Sequence, residues 1–144
     1  LLALAKSRNL VLHVEHIELL GGVHQAFLQT LSQVGTPFYA RYITLTPQHP
    51  APQKWTFNPD LFGFPLVGAL SRLHRLTHVF GEVKTVSCQN RYWKTESTHY
   101  AGCLCKAQLL FKSGLIAEVT YGKGEIVWTP KRKLEVQGDR AALI

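Results

Sequence analysis

Side chains with the chemistry to handle a ligand gather in two short stretches. The first, His13-Val14-Glu15-His16-Ile17-Glu18, alternates imidazoles and carboxylates where a short apolar run gives way to a helical pattern. Polar groups clustered at the C-terminal end of a strand often line the cleft of an α/β protein. A plainer role is also open, in which Glu15 or Glu18 simply complements the dipole at the start of the helix. The second stretch is Ser71-Arg72-Leu73-His74-Arg75. The planar fork of Arg72 can meet a carboxylate with two parallel N–H donors. Its alternative is a structural ion pair, or a stem laid along the core with the charged head in water.

Other constellations point nowhere. His74 and His78 stand four apart on a helix, a spacing that could offer two imidazoles to a metal. There is no accompanying glutamate motif and no obvious third ligand, so no metal is expected. Cys88, Cys103 and Cys105 form no CxxC pair and are odd in number, which reads as buried free thiols in a reducing cytosol. No GxGxxG opens a helix after a strand, and P-loop and GxSxG patterns are missing. Gly122-Lys123-Gly124 reads as a hairpin turn rather than a phosphate loop.

The elements that must position these residues follow from periodicity. Residues 1–5 read as the end of a helix, and residues 10–14 are short, apolar and β-branched, as a buried strand is. Helical spacing runs over 17–31, weakened at Gly21-Gly22. Residues 38–45 read as a strand. Prolines at 47, 50, 52, 59 and 65 then exclude regular structure, while Trp55, Phe57, Phe62 and Phe64 predict an ordered loop packed over something. The clearest helix spans 66–80, with Pro65 at its first turn and Gly81 past its end. Leu66, Ala69, Leu70, Leu73, Leu76 and Phe80 make its apolar face, Ser71, Arg75 and His78 its polar face, and Arg72 the border. Strands are predicted at 83–92, 101–111, 115–121 and 125–129, with a last one at 134–136. This order gives an α+β fold with a mainly antiparallel open sheet and helices on one face.

Bulk properties narrow the function. With 46% hydrophobic and 17% charged residues, the 144-residue chain is one ordinary globular domain. No apolar run is long enough to span a bilayer. A net charge of +7 favours an acidic ligand. The densest basic run, Lys131-Arg132-Lys133, reads as a solvated turn, and nucleic acid is not expected. The chain starts at Leu1 without a Met, as a fragment of a longer protein would.

Two blocks carry a family resemblance. Leu12-His13-Val14-Glu15-His16-Ile17-Glu18-Leu19-Leu20 resembles the segment after the first domain of the biliverdin reductases, cyanobacterial type. Phe62-Gly63-Phe64-Pro65, Gly68-Ala69-Leu70-Ser71-Arg72-Leu73 and Phe80-Gly81-Glu82 are similar to the same family's second block, though the proline-rich insertion is longer here. The resemblance covers about half the chain; the later strands match in character only. It implies the C-terminal domain of a Gfo/Idh/MocA oxidoreductase, with 1–16 as the tail of an N-terminal Rossmann domain and 17–144 as the α+β substrate-binding domain.

The implied reaction is reduction of biliverdin to bilirubin at the central methine bridge by NADPH or NADH, in the cytoplasm. Arg72 would be the catalytic, substrate-side group. His74, Arg75, Phe64, Glu15 and His16 would contact the substrate. The sheet would serve association with a second copy, and the fragment alone would be inactive. A sugar or polyol dehydrogenase of the same family, and a non-catalytic association module, are the competing expectations.

Overall fold

The structure is a computed structural model that describes residues 1–94 and 97–144. Helix α1 (Leu2–Ser7) is followed by an exposed irregular segment, then by a single turn, α2 (Ile17–Leu20), and by α3 (Gly22–Val34). The helix expected over 17–31 is therefore two, broken at Gly21, whose backbone is extended. Strand β1 (Pro37–Pro47) leads into the proline-rich loop, which contains a 3-10 turn at Trp55–Phe57 and one helical turn, α4 (Pro59–Phe62). A 3-10 turn at Pro65–Ala69 then tightens into α5 (Leu70–Phe80). Strands β2 (Val83–Lys94), β3 (Tyr100–Phe111), β4 (Ile116–Gly124), β5 (Lys131–Gly138) and β6 (Ala142–Leu143) complete the chain.

The six strands form one open sheet in the order β2-β3-β4-β1-β5-β6, antiparallel except where β1 runs parallel to β4. Period-two alternation decides what each face carries. Cys103, Cys105, Ala107, Leu109 and Phe111 of β3 are buried, as are Ala117 and Val119 of β4, Ala40 and Tyr42 of β1, and Val136 of β5. Helices α3, through Phe27 and Val34, and α5, through Leu76, share one core with these positions. Small residues at Ala40, Ala107 and Ala117 leave room for the helices. Gly68 shows how close the approach is, since a Cβ there would lie 2.3 Å from Cζ of Tyr121. The opposite face carries ion pairs instead, with Glu118 bonded to Lys106 at 3.3 Å and near Arg41 at 3.9 Å.

Four expectations need correction. Residues 10–14 are not a strand; they are exposed and pair with none of the six strands, and a β-branched run has no stability without a ladder. Gly122-Lys123-Gly124 is the end of β4, not a turn, and pairs with Leu104, Cys103 and Gly102 of β3. The turn is instead the segment 125–130, so the strand expected at 125–129 is absent. Lys131-Arg132-Lys133 opens β5 rather than sitting in a solvated turn. Cys103 and Cys105 are buried and Cys88 half-buried, all three as free thiols.

Candidate functional site

The first turns of α5 deliver Arg72 and Arg75 onto the helix-covered face of the sheet, near β1 and β5. There α2 brings Glu18 over them. Glu18, whose side chain is 13% exposed, accepts from Arg75 Nη2 at 2.9 Å and from Arg132 of β5, and lies 4.0 Å from Arg72 Nη2. One carboxylate thus faces three guanidinium groups. The Tyr42 hydroxyl accepts from Arg75 Nη1 at 3.1 Å, and the Glu18 carbonyl accepts from Arg75 Nη2 at 2.8 Å. Tyr42 and Glu18 also hold Arg132 above the usual arginine range, against the effect of its burial.

Arg75 is the clearest departure from the helical-wheel reading. It is 4% exposed, with both terminal nitrogens bonded and Nε left without a partner among the described residues, whereas the helical pattern places it on the polar face. The wheel sees only the sheet under a helix; here α2 forms a second wall. Arg72 does sit at an edge, with its side chain 19% exposed. Its Nη1 donates to Ser71 Oγ at 2.9 Å and reaches the Gly68 carbonyl at 3.5 Å.

The remaining named residues are divided. His16 and His74 stack at 3.9 Å between ring centroids, which ties the segment before α2 to α5. Glu15 is exposed in that segment and takes no part in the ion pairs. Phe64 is 45% exposed on the loop just before Pro65. A cleft of about 580 Å³ opens beside the cluster, lined by Glu18, Gly21, Tyr42, Arg75, Arg132 and Leu134 among others.

Sequence reasoning missed Glu18 as the hub, and it missed Tyr42 and Arg132. Alternation was the usable signal for Arg132. In a strand it shares a face with Leu134 and Val136, while Lys131 and Lys133 take the other.

A second cation is buried nearby without any carboxylate. Lys123 Nζ sits 3.9 Å from the ring centroid of Phe62 and 4.5 Å from that of Phe57, with Tyr100 at 5.5 Å. Its ammonium donates to the Thr56 carbonyl, which also accepts from the Tyr100 hydroxyl at 2.7 Å. Burial holds the lysine below its ordinary range. The proline-rich loop is thereby pinned to β4.

Among the described residues no group of three or more His, Cys, Asp or Glu side chains could hold a metal ion, and no helix is long and apolar enough to cross a membrane. Nor do they include a glycine-rich strand-to-helix turn that would cradle a pyrophosphate.

The helix-covered open sheet thus places a cleft lined by Arg75 and Arg132 beside the start of α5. Residues 31–144 match the family model for the Gfo/Idh/MocA oxidoreductases, C-terminal α/β domain, and the chain belongs to that family. Among solved structures it is similar to the biliverdin reductase of Synechocystis sp. PCC 6803, crystallised with biliverdin and NADP+. The two share 50% identity with a TM-score of 0.91, over 98% of this chain and 45% of that one. The chain therefore spans less than half the length of that reductase.

Two more distant structures show the fold alone. A putative NADPH-dependent oxidoreductase from Desulfitobacterium hafniense is 15% identical with a TM-score of 0.77, over 97% of this chain and 41% of that one. GenD2 of gentamicin A biosynthesis, in complex with NAD, is 15% identical with a TM-score of 0.73 over the same shares. No curated protein matches the chain.

Proposed function

We propose that this chain is the substrate-binding domain of a biliverdin reductase, in which NADPH or NADH reduces biliverdin to bilirubin at the central methine bridge. The observation that carries the reading is Arg72, a guanidinium at the open edge of a cluster holding three arginines to one carboxylate. Biliverdin bears two propionates, and its reduction passes through a more electron-rich tetrapyrrole. A fixed cation serves both, as a partner for a carboxylate and as stabiliser of charge that develops in the transition state. A guanidinium stays protonated, so Arg72 acts by charge and not as the proton donor. The similarity to a reductase crystallised with biliverdin and NADP+ supports the same reading.

The residues of this chain do not fit a dinucleotide: Lys123 is buried among rings, and its flanking glycines belong to a strand pair. The nicotinamide is assigned to a Rossmann domain joined ahead of 1–16, and the chain by itself is inactive. Its own part is to bind and orient. Trp55 and Phe64, 62% and 45% exposed, offer aromatic faces to a flat tetrapyrrole. His74, stacked on His16, braces the segment leading to the other domain. Arg75 supports Arg72 by fixing Glu18, which makes it a positioning residue.

The test adds biliverdin and NADPH to the enzyme that carries this chain with its dinucleotide domain. Loss of the biliverdin absorption band is expected, and an unchanged spectrum removes the assignment. Arg72→Ala should lower kcat/KM about a hundredfold, the scale of one lost charge-stabilising contact. Normal turnover in that variant would take Arg72 out of the mechanism.

A further inference from the structure

A second recess, of about 290 Å³, meets the large cleft at Arg132 and is lined by Thr44, Leu45, Thr46, Arg72, Pro130, Lys131 and Arg132. Two of these lining residues each carry a buried polar atom with no hydrogen-bond partner among the described residues: Arg72 at Nε and Thr44 at Oγ1. Thr44 as a whole is only 7% exposed. Leaving such groups unbonded is costly, and two of them in one recess call for a common partner.

The guanidinium shows which partner. Arg72 Nη1 is used by Ser71 and Gly68, and Nη2 stands 4.0 Å from Glu18 Oε1, beyond hydrogen-bond reach. What remains is the edge carrying Nε–H and Nη2–H, the planar fork that matches the two oxygens of a carboxylate. The Thr44 hydroxyl can donate to the same group. Lys131 and Arg132 add positive charge at the rim, and no acidic residue lines the recess.

We infer that Thr44, Arg72, Lys131 and Arg132 form a subsite for one alkyl carboxylate arm of the substrate. The inference rests on the proposed function in taking that arm to be a propionate of the tetrapyrrole. A cation would be repelled there, and a neutral amide would leave the surplus charge unmatched. The large cleft, by contrast, is partly neutralised by Glu18. Substrate orientation is then set by one propionate gripped at β1 and β5 while the ring system lies toward the aromatic loop.

Sodium propionate is the first probe, titrated into the chain while the Nε–H resonance of Arg72 is followed by NMR at constant ionic strength. A saturable shift is expected in the parent and in no chloride control. Thr44→Val, which keeps the shape and removes the hydroxyl, should weaken propionate about tenfold, and Lys131→Gln several-fold. No saturable shift, or one that chloride reproduces, overturns the subsite, as does equal affinity in Thr44→Val. The second arm compares biliverdin with its dimethyl ester in the reductase assay. A preference for the diacid that collapses in Thr44→Val supports the subsite, and equal KM values for the two forms overturn it. Should propionate bind at Arg72 while biliverdin is not reduced, the carboxylate subsite stands and the biliverdin reading falls.

Discussion

Arg75 and Lys123 are both more than nine-tenths buried on the same face of one sheet, and they are held by different means. Arg75 has a carboxylate, a carbonyl and a phenol around it. Lys123 has one carbonyl and a ring of aromatic faces. Counter-charge allows the first region to collect further guanidinium groups, so that positive charge remains at its edge for a ligand. Aromatic caging stabilises one cation without supplying a counter-charge, and it gathers no more. The arginine cluster is therefore suited to binding, and the lysine cage to fastening a loop.

The largest expected effect comes from removing the shared carboxylate. Glu18→Ala leaves Arg75 buried without its counter-charge and should cost about 3–5 kcal/mol in urea unfolding, the usual scale for breaking a buried pair. A loss below about 1 kcal/mol would mean that Tyr42 and the Glu18 carbonyl suffice, and the contrast with Lys123 would vanish. Lys123→Met is expected to change stability by less than about 1.5 kcal/mol, because an apolar chain of similar volume suits an aromatic cage. A loss well above that would show the ammonium itself to be indispensable.

Titration sharpens the comparison further. Lys123 is lowered from an ordinary 10.5 by burial, so between its folded and unfolded values the unfolded chain binds more protons. Stability must then rise with pH across that window. Tyr100, Tyr121 and Cys103, raised by burial, act in the opposite sense. The difference between parent and Lys123→Met isolates the lysine, and it should show the parent gaining on the variant as pH increases. A flat difference would refute the burial effect.

The smallest effect lies on the acid side. His24, 1% exposed, is lowered by burial and then by Arg75, His78 and His74. Its stabilising contribution is complete above about 6.5 and shrinks as pH falls below that value. His24→Leu should flatten this limb of the stability profile; an unaltered slope would exclude His24 as its source.

Much of the fold could be read from the residues because it rests on local period. Alternation in β3 and the apolar stripe of α5 each depend on one element and one neighbour. Arg72 at the border of that stripe was legible for the same reason. Arg75 was not, since its burial depends on α2, a single turn that arrives from 57 residues earlier in the chain. Glu18 looked like a dipole-complementing residue and does occupy the first turn of α2, but nothing local shows the three arginines meeting it. The run at Lys131 misled because three consecutive cations suggest solvent, whereas a strand sends the middle one inward. Residues 10–14 misled in the opposite way, with a strand's composition and no strand to pair with.

The parallel pairing of β1 with β4 has a consequence for how the molecule comes into being. β1 is the first strand to be made, yet every ladder it joins, to β4 and to β5, reaches across more than half the chain. During synthesis it must wait unbonded, with Tyr42 and Ile43 still exposed, until β2, β3 and β4 have been made, and its other edge stays open until β5 follows. Closing such long loops slows folding, and an interrupted chain ending before β5 would present a bare, apolar edge. Chaperone dependence and aggregation of truncated products should therefore be set by β1, while the β2–β3 hairpin forms early and on its own terms.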